Sequence, residues 1–543
     1  MYSKFFSIIF LSIVAFIVKA QNLPTHILQP SEITITEDGT IDNYTGPTEV
    51  GTFIIPESLG VKRISADCFN YLQSTSIHFP STLRIIDDDA FFSCVTDSVI
   101  FEDGTEYIGD CAFENYYYND AKRRKEYTKY ITYLKLPNTL KYIAEKTFCC
   151  GLHIDELIIP NSVTHIGREA FSNCLIKHLT LGENVDTILT NAFAFNDIEE
   201  LEIPNKVSYI AGFNSNQIKK LFIPKSVKTI GWHAFSGNPL EEVIISEGVE
   251  IIGDLAFRSR TQWANSDGEH RNRKNGCVSK LTNIKIPNTV KKIRENAFAE
   301  CQFLSEITIG QSVDSIGSEA FKLCGVNEII LPQSVKHIGD NAFEQCENLK
   351  SVSLPEGLLT IGRQAFLKCS KLESIEIPNT VKKIPFEAFR DNFNLEKITL
   401  HEGLEEIGER AFFYAYEVEM SALPKTLKLI KPSAFYGVIF TSHILPCQNT
   451  NQRWYYFNEK VENIIDVAVA IDGMNSFGQT TENKYGYVRS DYELTKTPII
   501  DINNSNNSIH TYYDLNGRKT TKPTHGFYIK TDKQNRNIKT IKY

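Results

Sequence analysis

Short apolar and polar stretches alternate along this chain with a fixed beat. At residues 372–389, LESIEIPNTVKKIPFEAF, Ile375 and Ile377 alternate with Ser374 and Glu376. That is the period-2 pattern of a strand with one buried face. Pro378 follows and has no N–H to donate, so the ladder is predicted to stop there. Val381 and Ile384 then point inward at a spacing of three, and Ala388-Phe389 closes the unit.

The Ala-Phe closure returns as Phe69, Phe91, Phe113, Phe148, Phe171, Phe193, Phe213, Phe235, Phe257, Phe298, Phe321, Phe343, Phe366, Phe389, Phe412 and Phe435. Thirteen of the fifteen intervals are 20 to 23 residues long, and the other two, 35 and 41, hold insertions near 114–130 and 258–280. A period of this size means a solenoid in which each turn buries its apolar face against its neighbours. The expected fold is an α/β solenoid: a right-handed coil with one short parallel strand per 22–23-residue turn, short helical turns around Ala-Phe, and a small C-terminal β module. Alanine before Phe marks a crowded place, and glycine after the inner Ile, as at Gly167 and Gly362, is read as backbone freedom at a bend. Phe213 comes two residues early relative to Pro204, so that turn is trimmed.

The motif I-x-I-P-x-S-V-x-x-I-G-x-x-A-F-x-x-C, seen from Ile329 to Cys346, resembles the BspA-like class of bacterial leucine-rich-repeat proteins over about residues 54–440. The resemblance implies a surface protein that binds other proteins or cells and is not an enzyme. A tail with Tyr513-Asp514-Leu515-Asn516-Gly517-Arg518 and Gly526-Phe527-Tyr528-Ile529 is similar to the sorting domain of type IX secretion substrates. That likeness implies a delivery address. Read physically, the same tail is a small antiparallel module turning at Asn-Gly.

The rest of the organisation follows from the ends. Residues 1–20 read as a secretory signal peptide, with Lys4, an apolar stretch from Phe5 to Val18, and small residues to Ala20. Residues 21–53 are expected as an N-terminal cap, 54–440 as the solenoid, 441–502 as a C-terminal cap or small β-rich region, and 503–543 as linker and tail. The expected location is the cell surface after export, with no integral membrane segment once the signal is removed.

Charge and chemistry narrow the function. The formal net charge is −9, and −11 without Lys4 and Lys19, which argues against nucleic acid as partner. There is no H-E-x-x-H, G-x-S-x-G, phosphate loop or EF-hand loop, so no catalytic, metal or cofactor site is predicted and the chain reads as a non-enzyme. Of twelve cysteines, Cys94, Cys174, Cys301, Cys324, Cys346 and Cys369 all lie three residues after the repeat Phe. They form one column, expected to be inward, reduced and packed as small apolar groups. Cys277 and Cys447 fall outside it.

Two places are candidate partner sites. On the outward positions of the strands, Phe222 and Ile244 are apolar where polar residues are the rule. The insertions carry net charges of +2 and +4, with Tyr116, Tyr117, Tyr118, Arg123 and Arg124 in the first and Trp263, Arg271 and Arg273 in the second. Long loops on a rigid frame often carry function. The expected partner is a protein of host matrix or a neighbouring cell, or an acidic glycan. The alternative is a structural, self-associating surface component, or a glycan-binding surface protein without catalysis.

Overall fold

The computed structural model describes residues 23–115, 130–259, 278–420 and 423–440, and, beyond these, strands at 454–458, 461–466, 485–489, 511–513, 519–520 and 529–531. The chain divides into two compact units, Met1–Val290 and Lys291–Tyr543. In both, the Phe-centred repeats are turns of a parallel β-solenoid, about sixteen in all.

Each regular turn carries two strands, where the sequence predicts one. In the first unit, Glu156–Ile158 pairs in parallel with His178–Thr180, and His165–Ile166 with Thr187–Ile188. The second ladder runs from Arg63–Ile64 through Ile85–Ile86, Tyr107–Ile108, Tyr142–Ile143 and onward to Ile251–Ile252. These strands are two residues long, too short to show a period-2 signal. Their inner Ile is the residue that reads in sequence only as an inward spacing of three. The proline between the strands starts the link: the Val163 N–H donates to the Pro160 carbonyl at 3.1 Å, and Val381 to Pro378 at 3.1 Å.

The helical turns expected around Ala-Phe do not form. Among the described residues the helices are two 3-10 turns near the start, Pro30–Glu32 and Glu57–Leu59. At the Phe corner the backbone N–H bonds to the next turn instead of to its own: Phe171 N to Ala192 O at 2.7 Å, Phe343 N to Ala365 O at 2.8 Å. Left-handed residues stand two before and two after Phe, as at Glu169 (φ 54°) and Asn173 (φ 58°), or Gln364 (φ 55°) and Lys368 (φ 59°). Such residues interrupt an α-helix. The fold is therefore a β-solenoid with almost no helix.

The repeat phenylalanines are buried and stacked face to face. Neighbouring rings in the first unit lie 5.0–5.9 Å apart, for example Phe91–Phe113 at 5.0 Å and Phe213–Phe235 at 5.9 Å. In the second unit Phe298–Phe321 is 5.5 Å and Phe366–Phe389 is 5.3 Å, both 3° from coplanar. The alanines before them, Ala90, Ala170 and Ala342 among them, are fully buried. Gly167 and Gly362 are not in the left-handed region, so backbone freedom is not their reason. A Cβ at Gly167 would lie 2.5 Å from the Ala144 backbone, and one at Gly362 2.2 Å from Gly339. They let successive turns approach.

The trimmed turn is real. With Ile210 only three residues before Phe213, no left-handed residue precedes that ring, yet Phe213 N still bonds Ala234 O at 2.8 Å. Losing two residues at once keeps the inward and outward alternation in step.

The two ends use antiparallel pairing. Ile33–Ile35 and Thr40–Tyr44 form a hairpin whose second strand then pairs in parallel with Arg63–Ile64. In the second unit Tyr485–Arg489 pairs antiparallel with Leu429–Ile430 and with Trp454–Asn458. Arg489 is buried, its Nη1 donating to the Lys425 carbonyl at 2.6 Å. Thr511–Tyr513 pairs antiparallel with Lys519–Thr520 and with Ile529–Thr531. The signal-peptide residues 1–20, most of both insertions, Cys277 and Cys447 lie outside the described residues.

Candidate interaction surface

The longer strands build the surface. Lys220–Ile223 buries Leu221 and Ile223 and turns Lys220 and Phe222 outward; Glu242–Ile245 does the same with Val243 and Ile245 inside. The two strands pair in register, Lys220 opposite Glu242 and Phe222 opposite Ile244. Directly opposed residues on one face are close enough to form a single patch. Phe222 is 55% exposed and Ile244 50%. Beside them Lys220 Nζ stands 3.5 Å from Glu242 Oε2. That pair is open to water and holds the edge of the patch more than it stabilises the fold.

Phe222 and Ile244 are thus the two sequence-selected residues that the structure brings together. Tyr116, Tyr117, Tyr118, Arg123, Arg124, Trp263, Arg271 and Arg273 lie outside the described residues. The same outward column also exposes Ile158 and, in the second unit, Ile330. Both stand at outward strand positions legible from the repeat phase.

A second exposed feature escapes the sequence reading. On the short strands Tyr107, Tyr142 and His165 are register partners, and their rings stack at 5.7 and 5.8 Å. The signal for it is an aromatic residue before the inner Ile in consecutive turns. Desolvation, followed by the charges of Asp88 and Asp110, holds the Tyr107 hydroxyl above its ordinary range. His165 is exposed and contacts Thr164 Oγ1 through Nδ1 at 3.0 Å; His337 contacts Thr360 Oγ1 at 2.9 Å. Asp88 Oδ1 accepts the Asp110 N–H of the next turn at 2.8 Å.

The cysteine column is inward as expected, with a polar task added. The Sγ of Cys174, Cys324, Cys346 and Cys369 each donates to the carbonyl of a repeat Phe one turn back, at 3.2, 3.1, 3.1 and 3.2 Å. Asn196, Asn216, Asn238 and Asn392 hold the same place in other turns and donate to the same kind of carbonyl, at 2.9, 2.9, 2.8 and 3.2 Å. The sequence reading missed these asparagines because it tracked one residue type and not the position. Burial pushes the Cys94 and Cys346 thiols up to about 12, so they stay neutral. Ten cysteines are described and all are free thiols.

Among the described residues no group of three or more His, Cys, Asp or Glu converges as a metal site, and no helix is long and apolar enough to cross a membrane. Among the described residues the strand face offers exposed apolar contact area. A family model for the BspA type leucine rich repeat region matches six times, over residues 44–123, 62–151, 121–214, 141–264, 274–393 and 336–463. The chain belongs to the BspA-type leucine-rich-repeat family.

No curated protein matches the chain. Solved structures that resemble this BspA-type chain include a leucine rich cell surface protein from Faecalibacterium prausnitzii, at 21% identity and a TM-score of 0.38, covering 68% of this chain and 94% of that one. A leucine-rich repeat protein from Bacteroides ovatus stands at 21% and 0.37, covering 74% and 99%. The pneumococcal vaccine antigen PcpA stands at 18% and 0.37, covering 79% and 100%. At these scores the family match and the coil itself carry the assignment.

Proposed function

We propose that this BspA-type chain is exported to the cell surface and works there as a non-catalytic scaffold that binds another protein, in the manner of an adhesin. The observation that carries this reading is the Phe222–Ile244 patch. Two large apolar side chains, each at least half exposed, stand side by side on a strand face whose other positions are mostly polar. Water-facing apolar area of this kind is held in place by a rigid sheet and gains free energy when a partner covers it.

The basic, aromatic insertions add a second contact in this proposal, meeting acidic groups of host matrix or a neighbouring cell. The N-terminal leader directs export, and the type IX-like tail delivers the chain to the surface. Binding of the purified chain to matrix proteins and to neighbouring cells tests the proposal. Phe222→Glu with Ile244→Glu is expected to weaken capture at least tenfold, with the circular dichroism spectrum unchanged. Deleting 116–129 and 261–276 together is expected to abolish what remains. Unaltered capture by both variants would sink the reading, and light-scattering growth of the unmodified chain alone would favour a self-associating layer component.

A further inference from the structure

Two thiols do not share the column's task. Cys149 and Cys150 follow Phe148 directly, so they precede the place where Cys174 or Asn196 reaches back to a Phe carbonyl; in their own turn Gly151 occupies it. Their Sγ atoms are 3.6 Å apart. Both keep some exposure, 7% and 6%, where Cys174, Cys346 and Cys369 have none. The neighbouring Cys174 thiol is committed elsewhere, donating to Phe148 O at 3.2 Å and Ser172 O at 3.4 Å. Asn173 Nδ2 donates to Cys150 Sγ at 3.6 Å.

The two thiols are unlike. The contact between the two sulfurs, followed by burial, holds Cys149 well above the ordinary thiol range. The same contact, with help from Asn173, holds Cys150 below it. Two sulfurs 3.6 Å apart, one of them the more readily ionised, are the arrangement of an attacking and a resolving thiol.

We propose that Cys149 and Cys150 are a redox-modification site, oxidised by a small-molecule disulfide to a disulfide between the two adjacent residues. Cys150 gives its proton to solvent and attacks, as the thiolate, one sulfur of the small disulfide. A Cys150 mixed disulfide forms, and one small thiolate leaves. Cys149 then passes its proton to that thiolate and attacks Cys150 sulfur, which expels the second small thiolate to take up a proton from solvent. Two protein thiols are oxidised and one small disulfide is reduced to its two thiols.

Geometry makes the bond reversible. Consecutive Cα atoms are about 3.8 Å apart, shorter than the roughly 4.4–6.8 Å span usual for a disulfide, so the closed pair is strained and labile. It suits a switch more than a staple. Its position is at the root of the first insertion, because the Asn115 N–H, at the insertion's start, donates to the Cys149 carbonyl at 3.1 Å.

The test is direct because trypsin isolates the pair. Residues Thr147–Arg168 contain both cysteines and no internal Lys or Arg, while Cys174 falls in Glu169–Lys177. The full chain is incubated under native conditions with oxidised glutathione, quenched in acid, alkylated and digested. The expected peptide Thr147–Arg168 is lighter by two hydrogens, unalkylated, and restored by mild reductant. Cys149→Ser is expected to keep a glutathionyl adduct on Cys150, since no resolving thiol remains. Cys150→Ser is expected to lose free thiol from that peptide about tenfold more slowly. Two free thiols surviving in the native chain, while the denatured chain oxidises, would overturn the proposal. A cross-link between this peptide and Glu169–Lys177 would overturn it as well. Should either variant fail to fold, the unmodified chain's own peptide decides.

Discussion

The turns centred on Phe193, Phe213 and Phe235 and those centred on Phe321, Phe343 and Phe366 meet one requirement with different chemistry. In every case the carbonyl of a repeat Phe one turn back needs a buried donor. Asn196, Asn216 and Asn238 supply an amide in the first unit; Cys324, Cys346 and Cys369 supply a thiol in the second. The amide does more. Asn216 Oδ1 also accepts the Ile198 N–H at 3.1 Å, and Asn238 Oδ1 the Ile218 N–H at 3.1 Å. Before Cys324 and Cys369 the equivalent N–H one turn back is used locally: Leu304 donates to Cys301 O at 3.0 Å, and Leu349 to Cys346 O at 3.0 Å. The links after the column differ: one residue separates Asn216 from Ile218, whereas two separate Cys346 from Leu349. The column therefore takes a small donor, and only the amide adds an acceptor for a backbone N–H one turn back.

The largest expected effect is common to both regions and sets the scale. Phe343→Ala and Phe193→Ala each remove a ring stacked on both sides and are expected to cost about 3–5 kcal/mol, read from urea denaturation. Equal losses in the two units would show that the Phe stack is indifferent to the donor beside it.

Asn216→Ala breaks the comparison next. It leaves the Ile198 N–H buried without its side-chain partner and takes one of two amides from the Phe193 carbonyl, which keeps Asn196 Nδ2 at 3.0 Å, an expected cost of about 2 kcal/mol. Cys346→Ala loses one weak bond and little volume, at about 1 kcal/mol. If both substitutions cost the same, the extra acceptor on asparagine does not matter.

Alkaline pH should separate the regions by titration. Burial holds Cys346 near 12 in the folded chain, against an ordinary thiol value of about 8.5 when unfolded. A raised folded value means that stability is fully present below the ordinary thiol range and is lost as pH climbs through the folded value. Urea midpoints measured through that window are expected to fall, and to fall less steeply in Cys346→Ala. Asn216→Ala is expected to leave the slope unchanged.

The smallest effect is the sharpest test. Asn392 is an asparagine placed among thiol turns. Its amide reaches the Phe366 carbonyl at 3.2 Å, but Oδ1 has no partner, because Leu372 N is spent on Cys369 O. Asn392→Cys is expected to be neutral or stabilising by up to about 1 kcal/mol by thermal denaturation. A clear loss would mean that the unpartnered Oδ1 carries no penalty there.

Much of this was legible because a solenoid repeats its local rules. The Phe beat, the crowded alanines, the proline stops, the inward cysteine column and the trimmed turn at Phe213 all appear in the sequence as fixed offsets. Phe222 and Ile244 were legible for the same reason, as apolar residues at an outward phase. The second strand was not, since two residues such as His165–Ile166 are too few to show alternation. The helical turns were expected wrongly because Ala-Phe with apolar neighbours at three-residue spacing imitates a helix, while the N–H groups in fact bond to the next turn. Glycine was misread likewise: Gly167 is needed for what lies across from it, not for its own dihedral angles.

By itself, then, the sequence determined the period, the family and the side of the coil on which each side chain lies, because these depend on spacing along one chain. The tertiary structure alone decided what each position does. Whether Cys174 or Asn196 is mere filling or a donor, whether Gly362 bends or yields space, and whether Phe222 touches Ile244 depend on atoms about one turn away. Those contacts arise only when one turn is laid on the next, where buried backbone groups must find partners.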